Sequence, residues 1–184
     1  RYEQAEPFLL RALHIREQAL GPHHPFLINP LANLGALYYE QGKYEQAEPL
    51  LKRALYIREQ TLAPNHPHLA FPLHELANLY RDQGKYKQAG LLYQRALALR
   101  QEHLSPQHPE IAKTLYDLAQ LRERQQQLTE ALSLYQQALA VLEQALGDQH
   151  PQTTETRWRL WAILRALGRT EEAVALKVHL DVAM

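Results

Sequence analysis

Ten histidines are the side chains of this 184-residue chain best suited to chemistry, because an imidazole can ligate a metal or carry a proton near neutral pH. His23, His24, His66 and His68 cluster near two expected helix starts, and His-Pro steps fall at 24, 66, 108 and 150. A zinc site gathers about four convergent ligands. Histidines repeating every 42 residues fall in separate loops, and no carboxylate or further histidine completes a set at helical spacing. The expectation is no metal and no cofactor. Cysteine is absent, which removes a thiolate nucleophile. There is also no phosphate-cradling glycine loop, no Gly-x-Ser-x-Gly elbow and no His-Glu-x-x-His. The paired carboxylates Glu171 and Glu172 sit at an expected helix start, where acidic groups favour the helix dipole. The chain reads as carrying no catalytic residues, and so as not an enzyme.

Composition narrows the partners. Twenty basic and twenty acidic residues cancel to a formal charge of zero, leaving no overall positive field to gather nucleic acid or anionic lipid. No apolar run approaches the roughly 18 residues of a membrane span, and the opening RYEQAEPF lacks the layout of a signal peptide. With no disulfide to form, a reducing compartment fits, and the cytoplasm is the expected location.

The elements that must position any site come from an internal repeat. The 42-residue spacing of His-Pro aligns YEQAEPFLLRALHIREQAL (2–20) with YEQAEPLLKRALYIREQTL (44–62), which differ at four positions. Residues 86–104 and 128–146 drift but keep the alanine and leucine spacing. Apolar residues recur three and four apart, placing one stripe on a helix. Leu31, Leu34, Leu37 and Tyr38 form it in a first helix; Ala47, Leu50, Leu51, Ala54, Leu55 and Ile57 form it in a second, with Lys52, Arg53 and Arg58 left to face water. QGKY at 41–44 and 83–86 supplies a glycine that can end one helix left-handed before the next begins. Proline after each histidine suits a first helical position. Pro30, Pro72, Pro7 and Pro49 fit less easily: either those helices begin late, or they bend.

Leu31, Leu34, Gly35, Tyr38, Gly42, Tyr44, Ala47, Leu51 and Ala54, repeated as Leu73, Leu76, Ala77, Tyr80, Gly84, Tyr86, Ala89, Tyr93 and Ala96, resemble the tetratricopeptide repeat pattern. The third copy keeps Leu115, Leu118, Ala119, Ala131, Tyr135 and Ala138 but has Gln126 and Leu128 for the glycine and tyrosine. The fourth keeps Gly168 and Ala173, with Arg157, Thr170 and Lys177 at positions the pattern makes apolar, which reads as a polar cap together with Arg159. A period eight residues longer than the usual tetratricopeptide length of about 34 adds about two turns, most simply one per helix. This long variety is similar to the repeats of kinesin light chains.

The resemblance implies an all-α fold, a right-handed superhelix of about nine helices in antiparallel pairs forming a single solenoid domain. Residues 1–22 would be the second helix of an incomplete repeat, 23–64, 65–106 and 107–148 three full repeats, and 149–184 a divergent capping repeat. It also implies a concave groove lined by first helices. The residues pointing into it would be Asn29, Ala32, Asn33, Ala36 and Tyr39, then Phe71, His74, Glu75, Asn78 and Arg81. Lys113, Tyr116, Asp117, Gln120 and Arg124 would follow, then Trp158, Arg159 and Arg165. Amides donate and accept at once and suit an extended backbone, and aromatic side chains are frequent anchors. The expected function is a scaffold holding a peptide or protein segment, as a module of a larger adaptor or signalling protein. The rival readings are a structural spacer or self-association device, and a regulatory sensor attached to an enzyme or nucleotide-binding switch. Leu9, Ala12, Leu13 and Ile15 lack the first helix that would cover them, so pairing with a second copy through that stripe is expected.

Overall fold

The His-Pro step sets where each repeat begins. In the computed structural model, which describes residues 2–181 and the side chains of residues 6–177, His24, His66, His108 and His150 all have extended backbone. Each imidazole accepts at Nδ1, at 3.2 Å, the N–H of the residue two further on: Phe26, His68, Glu110 and Gln152. The histidine is thus an N-cap, meeting one of the donors a helix start leaves unpaired, and the proline after it occupies a position that needs no N–H.

The described residues form nine α-helices: α1 (Tyr2–Leu20), α2 (Ile28–Glu40), α3 (Tyr44–Thr61), α4 (Ala70–Asp82), α5 (Tyr86–His103), α6 (Pro109–Arg124), α7 (Leu128–Leu146), α8 (Pro151–Ala166) and α9 (Thr170–Asp181). Short 3-10 turns at Pro25–Leu27 and Pro67–Leu69 precede α2 and α4. The prolines explain them. Pro30 and Pro72 are the third residues of α2 and α4, and without an N–H they cannot reach back to the carbonyl four residues earlier. The first turn therefore closes as 3-10, and those helices begin late. One and two repeats on, Thr114 and Thr156 occupy the same position, and α6 and α8 are α-helical from Pro109 and Pro151. Pro7 and Pro49 behave differently, lying inside α1 and α3, which continue through them.

Each hairpin closes identically. The N–H groups of Lys43, Lys85, Gln127 and Arg169 bond the carbonyls of Tyr38, Tyr80, Arg122 and Leu164 at 2.8 to 2.9 Å, the six-to-one bond of a Schellman turn. Its left-handed residue is Gly42, Gly84 or Gly168 in three hairpins, but Gln126 at φ 62° in the third.

Residues 1–99 and 100–184 form two compact units. In the first, Ala47, Ala54, Ala89 and Ala96 are at most 2% exposed, and Leu31, Leu34, Leu73 and Leu76 fill the space around them. At Gly35 α2 runs close against α3: a β-carbon there would lie 2.7 Å from Leu51 Cδ2. The hairpins are tied by Glu48 of α3, which takes hydrogen bonds from Tyr80, Gln83, Lys85 and Lys52. Arg53 is not left to face water either. It is half-buried and donates to the Pro22 carbonyl and to Glu17. In the second unit Ala119, Ala131, Tyr135, Leu139, Leu160, Ile163, Leu164 and Ala173 form the core. The polar-cap reading fails at Arg157, which is 5% exposed and paired with Glu143 and Asp148; it is a buried ionic tie between α7 and α8, whereas Arg159, Thr170 and Lys177 are exposed.

Candidate functional site

Two cavities open on the first helices, one in each unit. In residues 1–99, a cavity of about 190 Å³ lies among α2, α3 and α4. One side carries Asn29, Asn33 and Tyr39, the other Phe71, Pro72 and Glu75, and Ala32, Ala36 and Ala54 line it with little bulk. The sequence-derived residues Asn29, Asn33, Tyr39 and Phe71 are therefore brought together. Phe71 is 57% exposed. Tyr39 is held in place, its hydroxyl donating to Asp82 at 2.6 Å and its ring 5.7 Å from that of Tyr44; burial and the Asp82 carboxylate raise its pKa.

Arg58 of α3 also lines this cavity, although the sequence pattern left it facing water. It is half-buried, which pushes its guanidinium below the ordinary pKa, and its hydrogen bond to protein runs from Nη1 to the His68 carbonyl at 3.1 Å. The signal was present in the sequence: arginine recurs at 16, 58 and 100 on the 42-residue period. Arg100 shows what the position does when satisfied. It is 4% exposed and donates to the Glu110 carbonyl and carboxylate and to Thr114 Oγ1. At the positions matching Glu110 and Thr114, Arg58 finds His68 and Pro72. Neither side chain supplies a carboxylate or hydroxyl acceptor, so the guanidinium keeps donor capacity beside the cavity.

His74, Asn78 and Arg81, also expected in the groove, do not line this cavity. His74 is fully buried with its ring 5.3 Å from that of Tyr93, Asn78 accepts the Tyr93 hydroxyl at 2.6 Å, and Arg81 is buried with Nε on Asp82 at 3.1 Å. His74 and Asn78 meet Tyr93 of α5, although the three residues hold the same repeat positions as Ala32, Ala36 and Tyr39, which line the cavity.

In residues 100–184, a cavity of about 210 Å³ lies among α6, α7 and α8, lined by Lys113, Tyr116, Asp117, Leu142, Glu155 and Thr156 among others. Lys113 and Tyr116 were expected, Glu155 was not. The Tyr116 hydroxyl donates to Glu155 at 2.6 Å, and burial together with that carboxylate raises the tyrosine's pKa. Gln120 is half-buried and Arg124 exposed. Trp158 is 40% exposed, standing 5.5 Å from Trp161, over which Arg165 lies at 5.1 Å; Arg159 is exposed beside it. The two cavities use equivalent repeat positions with different chemistry. Asn29, Ala32, Asn33, Arg58 and Phe71 of the first correspond to Lys113, Tyr116, Asp117, Leu142 and Glu155 of the second.

Among the described residues no three histidine, aspartate or glutamate side chains gather as metal ligands, and no helix is long and apolar enough to cross a membrane.

Paired antiparallel helices on a 42-residue period, small residues at the close approaches and cavities over the first helices define a helical-repeat solenoid, a non-catalytic scaffold type of fold. The tetratricopeptide repeat profile matches residues 1–60, 31–102, 72–144 and 110–177. The chain belongs to the tetratricopeptide repeat family. It is similar to a Podosopora anserina putative kinesin light chain with nearly identical repeats, at 25% identity and a TM-score of 0.84 over 99% of this chain and 86% of that one. It shares its fold with BtubC (BKLC) from P. vanneervenii, at 21% identity and a TM-score of 0.79 over 100% of this chain and 73% of that one. MamA is likewise similar in fold, at 17% identity and 0.70 over 94% and 85%. No curated protein sequence matches the chain. Tetratricopeptide repeats serve protein–protein interaction, and this chain is such a module in general terms.

Proposed function

We propose that the chain holds an extended peptide or protein segment over the first helices, as a module of a larger adaptor or signalling protein that works in a reducing compartment such as the cytoplasm. The observation that carries this reading is the cavity of residues 1–99, where amides, an exposed aromatic ring and an incompletely satisfied guanidinium converge on a floor of alanines. Asn29 and Asn33 suit a peptide backbone whatever its sequence. Phe71 suits an apolar side chain, and Arg58 a carboxylate. The second cavity carries Glu155, Asp117 and Lys113 instead, so it selects different side chains from the same kind of ligand. A spacer with an empty groove has no use for Phe71 at 57% exposure. Neither cofactor nor catalysis enters the proposal.

The test is a peptide-library screen on the chain, repeated with Asn33→Ala and Phe71→Ala, with folding checked by circular dichroism. The reading expects a defined subset of peptides to bind and each substitution to weaken it at least fivefold while helicity is kept. Binding that neither variant alters removes the groove from the account. An absence of binders alongside self-association favours the spacer.

A further inference from the structure

A face of α6 other than the one that carries Lys113 and Tyr116 bounds a further cavity, of about 430 Å³, whose lining lies within residues 100–184. Ile111 and Leu115 of α6, each 3% exposed, and Val141 of α7 line it with apolar surface, and Gln101, Pro106 and Gln137 add polar atoms. None of the residues that line it carries a charge.

The 42-residue period explains the opening. In the two preceding repeats the positions of Gln101 and Gln137 hold an ion pair: Arg53 meets Glu17 at 2.5 Å, and Arg95 meets Glu59. Arg53 also donates to the carbonyl of Pro22, whose place Pro106 takes here. In this repeat amides replace both charges, and the neighbouring apolar position changes with them. Ile57 and Leu99 are 1% and 5% exposed, whereas Val141, one carbon shorter, is half-buried. A strap of opposite charges has given way to an opening rimmed by neutral amides.

The lining selects its occupant. A charged side chain would give up its hydration and find no counter-charge among the lining residues. An aliphatic one buries apolar area against Ile111, Leu115 and Val141. The peptide groups on either side of it need donors and acceptors, which an amide side chain supplies together. Gln137 donates to Ser133 Oγ on its own helix at 3.3 Å, a long bond that an incoming carbonyl can replace. We infer that this cavity is a second docking site, separate from the cavities over the first helices, for a partner protein segment that presents an uncharged, branched aliphatic side chain between peptide groups held by Gln101 and Gln137. The inference does not depend on what those other cavities bind.

The probe is N-acetyl-leucine N-methylamide, one leucine between two peptide groups, with its lysine and glutamate analogues as controls. Titration into the whole chain is followed through isotope-labelled methyl groups of Ile111, Leu115 and Val141. Half-saturation is expected at roughly 1–10 mM for a ligand this small, and the charged analogues should bind at least tenfold more weakly. Gln101→Glu with Gln137→Arg rebuilds the ion pair of the earlier repeats and is expected to abolish the response while helicity is kept. Val141→Leu, which restores the residue found at Leu99, is expected to weaken it at least threefold. No response tenfold above the expected range, equal responses to the leucine and lysine analogues, or a leucine response that survives both changes overturns the inference. So does a response seen only at the methyl groups of Ala32 and Ala36 in the cavity of residues 1–99. Methyl signals of Ile111 and Val141 that move with protein concentration alone would assign the cavity to a second copy and overturn it as well.

Discussion

Replacing Glu48 by glutamine removes the carboxylate that ties the α2–α3 hairpin to the α4–α5 hairpin. Burial of this carboxyl opposes its charge, but Lys52, Lys85 and Gln83 outweigh burial together and hold its pKa at about 2 against an ordinary 4.5. At about 1.4 kcal/mol per pH unit, that drop has a ceiling of roughly 3 kcal/mol. The Lys52 and Lys85 side chains are 52% and 42% exposed, and solvent screening of such pairs reduces the expected contribution to about 1–2 kcal/mol. The sign follows from linkage: the folded pKa is depressed, so the stabilisation is complete above pH 4.5 and is lost as the pH falls towards 2. Other carboxylates titrate in the same window, so the informative quantity is the difference between wild type and Glu48→Gln. Far-UV circular dichroism in urea follows it, since both tryptophans, Trp158 and Trp161, lie outside residues 1–99. The variant is expected to unfold more easily by about 1–2 kcal/mol at pH 7, with the gap closing between pH 4.5 and pH 2. A gap of the same size at both ends would refute the ion-pair argument and leave only lost packing or hydrogen bonding.

Three further outcomes follow from the repeat geometry. His108→Ala removes an N-cap acceptor and is expected to cost about 1 kcal/mol in urea unfolding, whereas His108→Asn, a side chain that caps well, retains most of it. Gln126→Gly relieves a left-handed backbone at an exposed position and is expected to stabilise by about 0.5–1 kcal/mol, seen as a higher urea midpoint. Gly35→Ala forces a methyl group against Leu51 and is expected to destabilise by about 1–2 kcal/mol. Shortening the obstacle tests this: in a double-mutant cycle with Leu51→Ala, the Gly35→Ala cost should largely vanish, and simple additivity would place the strain elsewhere.

The helices, the hairpin turns and the buried alanines were legible in the sequence because each repeat must solve the same packing problem, and a solution used four times leaves a period. The role of the histidines was less legible. Their spacing argued against a metal site, but cap geometry depends on a ring nitrogen reaching a backbone N–H two residues on, and residue type alone does not predict that. The alternative between late-starting and bent helices was decided for Pro30 and Pro72 by the 3-10 turns ahead of them, and the comparison with Thr114 and Thr156 could have suggested it. Arg157 was misread because a charged residue at an apolar repeat position signals exposure only when no partner is in reach; Glu143 and Asp148 were in reach from the preceding helix and loop.

The candidate site was read in part, and the part missed has a common cause. A pattern that assigns the groove to first helices catches Asn29, Asn33, Tyr39, Phe71, Lys113 and Tyr116, which line the cavities. It also admits His74 and Arg81, which hold the repeat positions of Ala32 and Tyr39 but are buried, and it excludes Arg58, because Arg58 belongs to a second helix. Yet a cavity between neighbouring hairpins has the second helix as its back wall. The decisive comparison runs down the period instead of along the helix. Arginine at 58 and 100 meets Pro72 in one repeat and Thr114 in the next. The same exchange that starts α4 with a 3-10 turn thus also withholds a hydroxyl acceptor from Arg58.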